Sequence, residues 1–124
     1  MEKEKELTLN EYQERAMSTC MDTCNNLTYM LTGMNAEVGE INDKIAKAVR
    51  KGWISLHRNN ITFWNDCPQD FIEGVLAELG DVMWFCAGLS QVLNRRLGDV
   101  AQGNLDKLAS RKKRGVIDGN GDNR

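Results

Sequence analysis

Apolar residues recur along this chain mainly at intervals of three and four, the spacing of one helix face, and a single proline interrupts it. The pattern predicts an all-α domain. Thr8-Leu9-Asn10-Glu11 reads as a capping box, in which the hydroxyl and the carboxylate each satisfy a free backbone N–H, and opens a first helix running to the Cys24-Asn25-Asn26 region. A second helix carries Leu27, Met30, Leu31, Met34, Val38, Ile41, Ile45 and Val49 on one stripe. It ends near Gly52, after the basic Lys47, Arg50 and Lys51, which suit the negative end of a helix dipole. Residues 53–67 show no clean period and are expected to form an irregular insert or a lid, since Trp53, Phe63 and Trp64 are too apolar for an idle linker. Asp66-Cys67-Pro68 is the start signal for a third helix. It is apolar nearly all round, from Ile72 to Leu93, and therefore central. Gly98 is expected to end it, with Asp99-Val100-Ala101-Gln102 as a second capping box opening a short fourth helix. From Gly115 onward the chain reads as a flexible, turn-rich tail that leaves Arg124 frayed.

The chain has 124 residues and no linker, so residues 1–124 are expected to form a single domain. A domain this small buries a modest share of its surface, which predicts a core completed by oligomerisation. Apolar residues make up 41% and charged residues 27%, as in an ordinary globular protein. The net charge of -2 makes nucleic acid an unlikely partner. No apolar run approaches a membrane span and the chain opens with MEKEKE, unlike a secretory signal, so the expected location is the cytoplasm. Cys20, Cys24, Cys67 and Cys86 include no CxxC pair and His57 is the only histidine, which reads as free thiols rather than a zinc site. Cys20 and Cys24 would lie one helical turn apart.

The candidate chemistry is a five-residue echo: Ala36-Glu37-Val38-Gly39-Glu40 and Ala77-Glu78-Leu79-Gly80-Asp81. Each copy sits inside a predicted helix and presents two acids side by side on the flank of its apolar stripe. Like charges one turn apart cost a few tenths of a kcal/mol, and a mid-helix glycine costs about 1 kcal/mol. Meeting both costs twice, in the same order, predicts a compensating ligand. Four carboxylates without histidine or thiolate select a hard ion, Mg²⁺ or Mn²⁺. The glycines would let helices, or a substrate, approach closely. The blander account makes these acids a solvated face, with Lys44 pairing with Glu40 at i+4.

Glu-x-x-Glu on one helix and Glu-x-x-Asp on the next resembles the motif of the MazG-like, all-α nucleoside triphosphate pyrophosphohydrolases, relatives of dimeric dUTPases and dCTP-cleaving enzymes. Ala36 to Lys51, Glu78 to Trp84 and Asn104 to Gly115 look like the family's three blocks, in order. The resemblance implies a MazG-like four-helix bundle, a Mg²⁺ cofactor and cleavage between the α and β phosphates of a nucleoside triphosphate substrate. It implies Glu37, Glu40, Glu78 and Asp81 as metal ligands, Asn104 and Lys107 as phosphate contacts, and a homo-dimer or homo-tetramer whose site borrows groups from a neighbouring copy. The stretch between the two acidic pairs is longer than is usual in the family because of residues 53–67. A glutamate not engaged with metal, Glu37 or Glu40, would take the proton of the attacking water.

Arg111, one turn beyond Lys107, could address the same ligand, and Lys44 is a further candidate for substrate contact. Lys112 and Lys113 are expected to face water. Trp84, one turn past Asp81, is the first aromatic candidate for stacking on a base, ahead of Tyr29, Trp53 and Trp64; His57 has no expected chemical role. The rival classes are a non-catalytic helical nucleotide-binding or protein-interaction module, and a small nucleic-acid binder using the 107–114 basic cluster.

Overall fold

In the computed structural model, which describes residues 2–124, Thr8 starts the first helix as its chemistry requires, its hydroxyl accepting from the Glu11 N–H at 3.1 Å. The Glu11 carboxylate pairs with Lys5 at 2.8 Å, and that bond, followed by the Thr8 backbone N–H, lowers its pKa, as the other half of the box requires. Helix α1 (Leu9–Met17) is shorter than the apolar pattern predicts. Ser18 and Thr19 turn their hydroxyls back onto the carbonyls of Arg15 and Ala16, a local bond that competes with helix continuation. Cys20 and Cys24 therefore do not share a helix; Cys24 closes a separate 3-10 turn, Asp22–Cys24.

Asn26 then caps α2 (Leu27–Arg50) by accepting from the Tyr29 N–H at 2.8 Å. This helix has 24 residues, about 36 Å of rigid rod. It ends at the positive φ of Gly52, where the sequence places the stop.

Residues 53–67 are not irregular. They contain an antiparallel hairpin, β1 (Ile54–His57) and β2 (Asn60–Phe63), with Ile54 opposite Phe63 and Leu56 opposite Ile61. Ile54, Leu56, Ile61 and Phe63 share one face and Ser55, His57, Asn60 and Thr62 the other. The turn is made by Arg58 in a left-handed conformation. Ile54 anchors the hairpin as one of the two largest fully buried side chains, whereas Leu56, Ile61 and Phe63 are about half exposed.

Helix α3 (Phe71–Val92) starts three residues after Pro68, not at it, because Pro68 belongs to a preceding turn closed by the Phe71 N–H on its carbonyl. Its end also differs from expectation. Asn94, at φ 57, takes the left-handed cap position, with Asn94 N–H bonded to Gln91 O and Arg95 N–H to Ser90 O. Gly98 consequently lies inside α4 (Leu97–Arg114) rather than before it. The first N–H groups of α4 are not satisfied by an Asp99 capping box. Gln13 Oε1 of α1 accepts from Leu97 N–H and Asn10 Oδ1 from Gly98 N–H, each at 2.8 Å. The amide of Gln13 also donates to the carbonyls of Ala87 and Arg95, so one buried side chain ties α1, α3 and α4 together.

The core lies where α2 crosses α3, around Met30, Phe85 and Ala87, and extends to Met17 and Leu97. Gly33 and Gly88 permit the approach: a methyl group at the first would strike the Phe85 ring, and at the second the Met30 side chain. The architecture is an all-α four-helix domain carrying one two-stranded hairpin. Residues 115–124 fold into turns, with the Arg124 guanidinium donating to Val116 O at 3.1 Å, in place of a frayed end. Accessible surface is 9788 Å² for a 14.0 kDa chain, where a self-sufficient folded monomer of that mass exposes about 6,700 Å². The excess is visible as open apolar stripes, with Leu31 and Val38 on α2 and Leu76, Leu79 and Met83 on α3 all more than 40% exposed.

Candidate metal centre

The crossing that builds the core also sets the acidic echoes against each other. Glu37 projects from α2, and Glu78 and Asp81 from adjacent turns of α3; one carboxylate oxygen from each lies within 4.8 Å of the others. Among the described residues this is the one group of three or more potential ligands that converges so closely. Glu37 and Glu78 are half-buried and Asp81 is exposed, so the cluster opens to solvent on one side. Glu40 is exposed and stands outside the trio.

The electrostatics are those of three acids with a single ammonium beside them. Partial burial raises the Glu37 carboxyl above its ordinary pKa, followed by a hydrogen bond with the Glu78 carboxyl and the negative charges of Asp81, Glu78 and Glu40. The all-oxygen donor set and the outward opening fit a hard divalent ion that keeps part of its hydration or takes a substrate oxygen. Lys44 does not pair with Glu40 on its own helix. Its ammonium reaches across to Glu78 Oε1 at 3.6 Å, beside the trio.

Beside the carboxylates is a cavity of about 290 Å³ lined by Tyr29, Glu37, Asp81, Trp84 and Phe85. Trp84 meets Phe85 edge to face, with ring centroids 5.0 Å apart, and Tyr29 is tilted against Phe85 at 5.7 Å. The Trp84 indole N–H is committed to Thr19 Oγ1 at 2.9 Å and Ala16 O at 3.2 Å, which fixes its ring from α1. Phe85 is a lining residue that the sequence reading did not single out, although its place one turn past Asp81 was a usable signal. The Tyr12 hydroxyl also belongs to this neighbourhood: its pKa is raised by burial first, then by Cys86 and Asp81.

Three groups that the sequence singled out stand in other settings within one copy. Gly39 and Gly80 make no close approach to another helix; a methyl group at either would meet nothing within 4 Å. Lys107 and Arg111 face the chain's own C-terminal segment, with Lys107 Nζ at 3.4 Å and Arg111 Nη2 at 3.2 Å from Asp122 Oδ1. Those bonds, Arg111 first, hold the Asp122 carboxyl below its ordinary pKa. Arg111 is buried and its Nε has no hydrogen-bond partner. Asn104 lines an apolar groove with Leu9, Met83 and Cys86 rather than the carboxylate cluster. No helix among the described residues is long and apolar enough to cross a membrane.

Comparison with known proteins agrees with the two-helix acidic arrangement. The MazG nucleotide pyrophosphohydrolase domain matches residues 25–116, a span that contains both echoes, the hairpin and all of α4. The Gene 37 protein of Mycobacterium phage L5 is 41% identical over 104 residues, covering 83% of this chain and 81% of that protein. No solved structure gives a significant match. With the domain match spanning most of the chain, and both acidic pairs inside it, the protein belongs to the MazG nucleotide pyrophosphohydrolase family.

Proposed function

We propose that this protein hydrolyses a nucleoside or deoxynucleoside triphosphate to the monophosphate and pyrophosphate, with Mg²⁺ (or Mn²⁺) held by Glu37, Glu78 and Asp81. The observation that carries the reading is the convergence of those three carboxylates, from two helices, to within 4.8 Å in a member of a pyrophosphohydrolase family. When bound, the ion neutralises phosphate charge and lowers the pKa of a coordinated water. The chain's own residues do the rest. Lys44 orients Glu78, and Glu37 and Asp81 complete the oxygen donor set that would hold the ion. Glu40, outside the trio and solvent-exposed, is either a fourth ligand or the acceptor of the attacking water's proton. The aromatic walls of Tyr29, Trp84 and Phe85 suit the flat face of a nucleobase. Phosphate contacts from Asn104, Lys107 and Arg111 require either release of Asp122 or delivery from a second copy.

The surplus accessible surface supports a homo-oligomer, since about 3,000 Å² beyond a self-sufficient monomer is the scale of an obligate interface. Incubating the protein with a panel of nucleoside triphosphates and Mg²⁺ should release monophosphate and pyrophosphate, and chelation should stop it. Glu78→Gln should abolish metal binding and turnover together. If Glu40 is the base, Glu40→Gln lowers kcat by about 10²-fold or more with metal affinity retained; if it is a ligand, metal affinity falls as well. Failure of every nucleotide to turn over, or turnover indifferent to Glu78→Gln, ends the proposal.

A further inference from the structure

The basic end of α4 is closed by the chain itself. Arg111 is only 5% exposed, a burial at which a guanidinium needs an anionic partner. That partner is Asp122, whose Oδ1 lies 3.2 Å and whose carbonyl oxygen lies 3.0 Å from Arg111 Nη2. Lys107, one turn earlier on α4, reaches the same Oδ1 at 3.4 Å. The grip is one-sided. Both Asp122 oxygens fall on one nitrogen of the guanidinium, while Nε, buried as well, has no hydrogen-bond partner. An oxyanion that fits the arginine fork engages two nitrogens in parallel. Asp122 therefore neutralises Arg111 without satisfying it.

The segment that delivers Asp122 is weakly held. Helix α4 ends at the left-handed Gly115, and the chain reverses again at Gly121, φ 78, directly before Asp122. No residue of 115–124 is buried, and Ile117 is half exposed, so the segment has no apolar anchor. Its other ties are polar: Arg114 donates to Arg124 O at 2.7 Å and Arg124 Nε to Val116 O at 3.1 Å. The Asp122 side chain is 85% exposed, so water competes for it. An ion pair open to solvent shifts an equilibrium by about fivefold or less. Residues 117–124 also lie beyond the family match, which ends at residue 116.

We infer that residues 115–124 form an autoinhibitory latch, in which Asp122 occupies the Lys107–Arg111 pair as an internal anion and leaves when a polyphosphate takes both cations. The inference rests on the hydrolase reading above, which gives those two residues to substrate phosphate, and adds the regulation of that contact. Asp122 is tethered 11 residues from Arg111. A short flexible tether keeps such a group at an effective concentration on the order of millimolar, so dilute monovalent anions do not displace it. A polyphosphate brings several charges at once and can address Nε together with Nη2, which Asp122 does not. The latch thus admits multiply charged ligands and keeps the buried guanidinium paired in their absence.

Isothermal titration of the whole chain with inorganic pyrophosphate and Mg²⁺ tests the latch without turnover. Asp122→Asn keeps the shape and removes the charge, and should tighten pyrophosphate about fivefold. Asp122→Glu, which keeps the charge, should stay within about twofold of wild type. Asp118→Asn removes the same charge from an exposed position of the same segment and should change binding less than about twofold. Trypsin gives a second readout. Cleavage after Arg114, whose guanidinium is tied to Ser110 and Arg124 in the closed state, should quicken about threefold or more when pyrophosphate is added. Unchanged pyrophosphate affinity in Asp122→Asn overturns the latch. So does weakened affinity, which would make Asp122 a support for Arg111, an equal gain in Asp118→Asn, which would reduce the effect to net charge, or pyrophosphate that slows the cleavage. Protein that shows the gain and the faster cleavage but turns over no nucleoside triphosphate keeps the latch and loses the hydrolase reading. An active enzyme whose Asp122→Asn variant binds pyrophosphate as wild type does keeps the hydrolase reading and loses the latch.

Discussion

The most exacting consequence of the acidic trio concerns the protein without metal. Glu37→Gln should make the metal-free protein more stable, not less. Glu37, Glu78 and Asp81 present oxygens within 4.8 Å of one another. Two unit charges at that separation repel by about 1 kcal/mol in bulk water and about 3 kcal/mol at the effective dielectric of a protein surface. Asp81 is exposed and the cluster opens to solvent, so the lower part of that range applies, about 1–2 kcal/mol in all. Glutamine keeps the side-chain length and can donate permanently to Glu78, where glutamic acid must first capture a proton. For a domain of this size the gain corresponds to a rise in Tm of about 3–8 °C. Its pH dependence is defined by sign. The folded-state pKa of Glu37 is raised above the ordinary 4.5, so the folded protein binds more protons than the unfolded chain between those two values. Wild-type stability therefore falls as pH climbs through that window, and the Glu37→Gln protein lacks this component. Scanning calorimetry in a chelating buffer across pH 4 to 8, repeated with excess Mg²⁺, reads both effects. Mg²⁺ should raise the wild-type Tm and leave the variant nearly unmoved. A variant less stable than wild type in the chelator, or one that Mg²⁺ stabilises equally, refutes the claim that these carboxylates form one repulsive, ion-accepting unit.

The glycines sort into two classes that a melting experiment separates. Gly33→Ala or Gly88→Ala drives a methyl group into Phe85 or Met30 and should cost about 1–3 kcal/mol, whereas Gly39→Ala and Gly80→Ala meet open space and should gain about 1 kcal/mol. Light scattering after size exclusion should give a mass that is a multiple of 14.0 kDa, and Leu79→Glu on the open α3 stripe should shift it towards the monomer; a monomeric wild type contradicts the oligomer. Gln13→Ala strips the partner from the Leu97 N–H and from two carbonyls at once, and should cost about 2–4 kcal/mol by chemical denaturation.

What the sequence disclosed follows the range of the forces involved. The long apolar stripes of α2 and α3 and the Gly52 stop were readable because periodicity and a positive-φ glycine are local signals. Of the four acids the sequence singled out, Glu37, Glu78 and Asp81 converge, as matched echoes on two packed helices allow, while Glu40 stands outside the group. The hairpin was missed although Ile54, Leu56, Ile61 and Phe63 alternate with polar residues, since four-residue strands give the period-two pattern too few repeats to stand out. The start of α4 was misplaced for a different reason. Asp99 offered a local cap, but the N–H groups are satisfied by Asn10 and Gln13, more than eighty residues earlier. Likewise Lys107 and Arg111 carried the right chemistry for a phosphate, and nothing nearby in sequence announced that Asp122 would meet them.

Several costs in this chain are left open within one copy, and they lie together. Gly39 and Gly80 weaken two helices without admitting any neighbour. Beside them, Val38 and Leu79 stay more than 40% exposed, and the Glu37 carboxyl is held above its ordinary pKa by burial and by the acids around it. Each echo thus has an acid turned inward to its partner helix and an aliphatic and a glycine turned elsewhere. A lone domain gains nothing from that alternation. If the inward acids take an ion and the outward aliphatics take a second copy, both penalties are offset by the same five-residue unit, and the bareness of the glycines leaves room for whatever backbone or phosphate comes closest. Metal binding and assembly should then be coupled, with Mg²⁺ shifting the oligomer equilibrium in dilute protein and Leu79→Glu weakening Mg²⁺ affinity without touching a ligand. Dilution experiments with and without the ion measure that coupling, and independence of the two would separate the acids from the aliphatics beside them.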